Sequence, residues 1–169
     1  MSNEIREKTY NLAFDYNQTY LDENDKRRAI LERIVNKLGL GCQLDGSVYF
    51  EFGSNTVIGK NFHAGNNFSV MDKTDVMIGD DCDFGANVTI STEMMDLTQG
   101  FVQKAVYIGN GCKIGTNVMI CGGVCIGDGC VIGSGSVVVS DMPPGSCGCG
   151  NPCRVVGTLK NAEIIGNRK

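Results

Sequence analysis

From Ile108 onward an aliphatic residue returns every six positions, at Ile108, Ile114, Ile120, Ile126, Ile132 and Val138. Glycine follows at Gly109, Gly115, Gly127 and Gly133, and a small residue comes four places after each aliphatic, at Cys112, Val118, Val124, Cys130 and Ser136. An amphipathic helix repeats at 3.6 and a half-buried strand at 2, so a period of six fits neither. It fits a solenoid in which each unit, a short strand and a turn, buries its apolar side only by stacking on its neighbours. Three units close a triangular coil of 18 residues, and successive coils stack at about 4.8 Å. The aliphatic then fills the interior, the small residue sits beside it, and glycine serves the corner. The chain has 23 glycines without a Gly-X-Y period, which suits many tight corners and excludes collagen.

The same phase extends upstream through Phe52, Ile58, Ala64 and Val70, and restarts after two extra residues at Ile78, Phe84 and Ile90. It breaks between Ser91 and Ala105, and an excursion from a solenoid is usually a functional loop or a subunit contact. Two helices precede the repeat, over Asn3 to Thr19 and Asn24 to Leu38, where Ile30, Ile34 and Leu38 recur every four residues. Asp22 or Asn24 is expected to cap the second helix and Gly39 to end it, with Glu23 placed to pair with Arg27. The expected organisation is a helical segment over 1–38, the prism over 39–158 with an excursion at 91–105, and a tail over 159–169.

Composition narrows the function classes. A formal charge of −4 with no basic block argues against nucleic acid. No apolar run is long enough for a membrane span, and the polar Met1 to Lys8 does not read as a signal peptide. Nine cysteines in such a chain imply free thiols in a reducing cytoplasm, although Cys112 and Cys130 lie one coil apart. Cys147, Cys149 and Cys153 have metal-ligand spacing but nothing to complete a tetrahedral set, so no metal is expected. Zinc chemistry on this kind of prism needs three histidines, and the chain has one.

Four stretches carry a family resemblance: Tyr10-Asn-Leu-Ala-Phe-Asp-Tyr-Asn17, Ile58-Gly-Lys-Asn-Phe62, Ile108-Gly-Asn-Gly111 and Gly150-Asn-Pro-Cys-Arg-Val-Val156. Over about residues 8 to 157 the chain resembles the maltose/galactoside O-acetyltransferases of the hexapeptide-repeat superfamily. The resemblance implies a mainly β fold, a left-handed parallel β-helix, assembled as a homotrimer. It implies acetyl-CoA as acyl donor in a groove between neighbouring prisms, and a small hydroxyl or amino acceptor. In such enzymes a histidine on the excursion loop deprotonates the acceptor. For CoA the matching positions are Thr116, Ser134, Val139, Ser140 and Arg154.

The departures concern the chemistry. Where the family's loop offers His-Pro, this chain reads Ser91-Thr-Glu-Met-Met-Asp96. Gly65, followed by Asn66 and Asn67, replaces an asparagine, and Ser140 and Gly157 stand where cations are usual. Lys160, Arg168 and Lys169 could compensate from the tail. The one histidine, His63, lies 20 residues before Asp83, which is one coil plus the two-residue insertion. The two side chains should therefore stack on one wall, where a carboxylate raises and orients an imidazole as a general base requires. His63 and Asp83 are accordingly the candidate catalytic pair. Glu51, Asn66, Asn67 and Glu93 are the candidate acceptor ligands, and an acidic cluster of Glu51, Asp83, Glu93 and Asp96 would favour a cationic acceptor. The alternative is a catalytically silent trimer serving as a binding or scaffold module.

Overall fold

A computed structural model describes residues 2–158. The body is a three-sided left-handed parallel β-helix. The first face stacks the strands Lys37–Leu38, Thr56–Ile58, Val76–Ile78, Val106–Ile108 and Cys125–Ile126. The second stacks Gln43–Leu44, His63–Ala64, Asp83–Phe84, Lys113–Ile114, Val131–Ile132 and Ser146–Cys149, with Arg154–Thr158 returning antiparallel at its end. The third stacks Val48–Phe50, Phe68–Met71, Thr89–Ser91, Met119–Ile120 and Val137–Val138.

The six-residue code reads directly into this prism. All the aliphatics from Ile108 to Val138 are buried, and so are Cys112, Val118, Val124, Cys130 and Ser136 beside them. Wider early coils take Phe50, Phe62, Phe68 and Phe84, whose rings meet at centroid distances of 5.0 to 6.0 Å. Glycine is required where coils approach closely: a Cβ on Gly59 would lie 2.5 Å from the Gly79 backbone. Other corners turn through positive φ, and there asparagine and aspartate substitute for glycine, as at Asn61, Asp81, Asn87 and Asn117.

Two helices close the first coil. Helix α1 (Ser2–Gln18) buries Leu12, Ala13 and Tyr16, and α2 (Asn24–Ile34) buries Ile30, Leu31 and Ile34. Polar bonds fix α1 on the open end. Thr9 Oγ1 donates to Phe52 O (2.7 Å), Tyr16 Oη to Leu44 O (2.8 Å), and Asn17 both donates to and accepts from Val48 (3.0 and 2.8 Å). Buried Arg27 lies 3.9 Å over the Tyr16 ring and donates to the carbonyls of Thr19, Leu44 and Gly46.

Several expectations for this region are corrected. Helix α2 ends at Ile34 rather than Leu38, because Lys37 and Leu38 form the first rung of the first face, opposite Val57 and Ile58. Ladder bonds and interior packing outweigh helical spacing there. The helix therefore does not end on Gly39. Glu23 is the N-cap without a side-chain capping bond; it accepts from Tyr20 N (3.0 Å) and pairs with Lys26, while Arg27 turns inward. The upstream phase also shifts. Phe50 is the buried interior residue, and Phe52 is half-buried at the corner. The excursion is an antiparallel hairpin, Glu93–Asp96 against Gly100–Gln103, with its turn tied by Asp96 Oδ1 to Thr98 and Gln99. The tail beyond Thr158, with Lys160, Arg168 and Lys169, lies outside the described residues.

Candidate active site

The corner between the third and first faces is where the repeat is interrupted, and it is interrupted in three successive coils. The interior residues Phe50 and Ile58 are eight apart, as are Val70 and Ile78, and in the next coil the hairpin separates Ile90 from Ile108. The extra residues stack into a single wall. Asp72, fully buried, accepts Phe52 N (2.9 Å), Gly53 N (3.1 Å) and Thr56 Oγ1 (2.9 Å). One coil on, buried Thr92 donates to Met71 O (3.0 Å) and accepts from Thr74 N (3.3 Å). These bonds satisfy backbone groups that the insertions remove from the ladder.

On the outside of this corner lie Glu51, Lys73, Glu93 and Gln103. Two adjoining clefts, of about 370 and 460 Å³, share Asn3, Arg6 and Glu51. Residues Asn3, Arg6, Glu7 and Tyr10 of α1, at helical spacing, form one wall; Phe52, Lys73 and Gln103 line the side toward the hairpin root. The Lys73 ammonium pairs closely with the Glu93 carboxylate, which holds the lysine above its ordinary pKa. The Glu51 side chain is only 7% exposed, and its ion pair is a loose 3.6 Å to Arg6 Nη2.

His63 occupies the second face in register with Asp83, and its Nδ1 lies 2.7 Å from Asp83 Oδ1. The other nitrogen is taken as well: Nε2 lies 3.0 Å from Asp45 Oδ2. Both nitrogens can donate to the two carboxylates only in the imidazolium form, so this arrangement favours the protonated ring. The bond to Asp45, followed by that to Asp83, holds its pKa above the usual histidine value, and His63 in turn depresses Asp45. A general base needs a free lone pair. Base action therefore requires Asp45 to let go of Nε2.

The candidate acceptor ligands divide between two places. Glu51 and Glu93 share the hairpin corner, away from the His63–Asp83 wall, because Glu51 follows interior Phe50 at the end of the third face. Asn66 and Asn67 lie at the corner between the second and third faces. Asn66 Oδ1 accepts from Ser47 N (2.9 Å), and Asn67, at φ 62°, donates to Asn87 Oδ1 (3.0 Å). The acidic cluster is likewise not gathered within one chain, since Asp83 belongs to the histidine wall and Asp96 to the hairpin turn.

Thr116 and Ser134 stack one coil apart on the second-to-third corner, where Thr116 N donates to Ser134 Oγ (3.1 Å). Val139 and Ser140 are exposed just past the third face, and exposed Arg154 opens the returning strand. The described cysteines are all free, and no three His, Cys, Asp or Glu among the described residues are placed to hold a metal ion. Among the described residues no helix is long and apolar enough to cross a membrane.

Sequence reasoning missed Asn3, Arg6, Lys73 and Gln103. A signal existed for Lys73: it precedes Glu93 by 20 residues, the interval that pairs His63 with Asp83. Arg6 had none, because the docking of α1 is a tertiary matter.

Comparison with known proteins accounts for the architecture. The Bacterial transferase hexapeptide (six repeats) pattern matches residues 105–140, and the Hexapeptide repeat of succinyl-transferase matches residues 75–94. Galactoside O-acetyltransferase of Escherichia coli K12 is 34% identical over 94% of this chain and 80% of its own length. The crystal structure of a maltose O-acetyltransferase from Clostridium difficile 630 superposes with a TM-score of 0.90 at 32% identity, over 95% of this chain and 89% of that one. A galactoside acetyltransferase in complex with coenzyme A superposes with a TM-score of 0.89 at 34% identity, over 94% of this chain and 82% of that one. With identity above 30% and a superposable fold over nearly the whole chain, the protein belongs to the galactoside/maltose O-acetyltransferase family of hexapeptide-repeat proteins.

Proposed function

We propose that this chain is an acetyl-CoA-dependent acetyltransferase that works as a homotrimer on a small acceptor bound in the hairpin cleft. The correspondence with a CoA-bound galactoside acetyltransferase over 94% of the chain carries the reading. A base takes the acceptor proton as the acceptor oxygen attacks the thioester carbonyl carbon, the C–S bond breaks, and the base returns that proton to the sulfur so that coenzyme A leaves as the thiol. Arg154 supplies a cation for CoA phosphate, Thr116 and Ser134 supply hydroxyls, Ser140 lies alongside, and exposed Val139 offers apolar contact.

The His63 wall and the hairpin cleft occupy different parts of one prism, so a groove between neighbouring copies is the arrangement that can bring them together. His63, oriented by Asp83, is the candidate base in that groove once Nε2 is released from Asp45. Glu93 and Glu51 are the acceptor ligands from the hairpin side, with Asn66 and Asn67 at the rim of the histidine wall. Nine thiols favour a cytoplasmic setting.

Acetyl-CoA titration tests the reading. At a hundredfold excess over Kd the ligand should stabilise the fold by about 2.7 kcal/mol. Arg154→Ala should weaken binding roughly tenfold by removing a charge-assisted bond. Thiol release should follow on adding hydroxyl and amino acceptors. Absence of binding at millimolar acetyl-CoA rejects the proposal.

A further inference from the structure

We infer that Glu51 sets the acceptor class by anchoring an ammonium group, and that Arg6 is the exchangeable cation standing in its place. This rests on the hairpin cleft being the acceptor site. The Glu51 side chain is 7% exposed and lines both clefts. Nearby backbone donors are already committed, since the amides of Phe52 and Gly53 go to Asp72. Among the described residues no hydrogen bond reaches the Glu51 carboxylate, and its one ion pair, to Arg6, spans 3.6 Å. No buried side-chain polar atom among the described residues lacks a partner, so the unbonded Glu51 oxygens are the part of the side chain that reaches the cleft, where they can accept from an incoming donor.

Arg6 is a weak competitor for it. Its side chain is 57% exposed on α1, so it can turn back to water at little cost. A compact ammonium can enter the cleft and donate at shorter distance than the guanidinium does. A neutral hydroxyl can donate one hydrogen bond but leaves the charge uncompensated. Lys73 does not compete, because it is closed on Glu93. Tyr10 and Tyr49 line the walls, and aromatic rings there attract a cation more than a neutral hydroxyl. An amine held on Glu51 stays protonated and is not nucleophilic, so the acetyl group goes to a hydroxyl of the same molecule. The acceptor is therefore an amino sugar or amino alcohol rather than a neutral sugar.

The test uses matched pairs, methyl 2-amino-2-deoxy-glucoside against methyl glucoside and short amino alcohols against diols. Binding is measured by calorimetry without acyl donor, and turnover with acetyl-CoA. The wild type should favour at least one amine over its hydroxyl counterpart by about tenfold or more, with added salt reducing the preference. Glu51→Gln should bring that ratio close to one. Arg6→Ala should move the other way, tightening amine binding, which a merely structural role for this corner would not do. If no amine binds the wild type better than its counterpart, or if the Glu51→Gln ratio matches wild type, the inference is overturned. The acetyl-CoA titration reports on the transferase separately, because amine binding is read without the donor.

Discussion

His63 joins three coils through two carboxylates, and its linkage to stability has a definite sign. Its folded pKa is raised, so its contribution is fully present below the unfolded value of about 6.5 and is lost as pH rises through the folded value. Asp45 is shifted the other way, so its share fades as pH falls through its depressed folded value. The clamp therefore works between those limits. The melting temperature of His63→Ala should fall below wild type at mildly acidic to neutral pH, and the two should converge in alkaline buffer. A pH-independent gap would mean that packing, not the charge pair, is what the substitution removes. Asp72 does different work. It satisfies three buried donors at the inserted corner, and Asp72→Ala should cost about 3 kcal/mol in denaturant unfolding.

The hairpin is the element that separates prism from site. Among the described residues its strands pair only with each other, and at its root Lys104 N donates to Thr92 O (2.8 Å). Removing Glu93 to Lys104, which leaves Ile90 and Ile108 six residues apart like Ile120 and Ile126 in the next coil, should leave the prism folded. The far-ultraviolet β signal and cooperative melting should persist, while acceptor binding disappears because Gln103 and Glu93, the partner of Lys73, go with the hairpin. Loss of cooperative folding would show that the hairpin belongs to the core. The excursion was visible in the sequence as a break in phase. Its antiparallel form was not, because Met94 and Val102 pair across the hairpin outside the six-residue code. The end of α2 was hidden for the opposite reason: Ile34 and Leu38 satisfy both a helical stripe and the entry into the first rung.

At the scale of the whole molecule the outward columns of the three faces differ. The second face presents Gln43, His63, Asp83 and Lys113 in register, a polar wall that gives way to Val131 and Cys147. Beyond Lys37 at its open end, the first presents Val57, Met77, Tyr107 and Cys125, with Met77 and Tyr107 still 45% and 44% exposed. An apolar strip of that kind is what the proposed trimer would cover. Tyr107→Glu should leave the monomer fold intact and lower the mass seen by light scattering; an unchanged trimeric mass would place the interface elsewhere.

What the chain's own pattern settled is the prism. A strict six-residue period admits one way of burying its aliphatics, and the stacking distance of coils follows from backbone hydrogen bonding alone. The same arithmetic put His63 over Asp83, since a column on one face depends only on coil length. Only the folded chain decided what surrounds them. Asp45 completes the histidine clamp from the preceding coil, and α1 brings Arg6 to Glu51 across a surface that no repeat encodes. Periodic contacts are local in register and can be counted from the sequence, whereas contacts between the helical cap, the stacked insertions and the hairpin depend on packing between non-repeating elements.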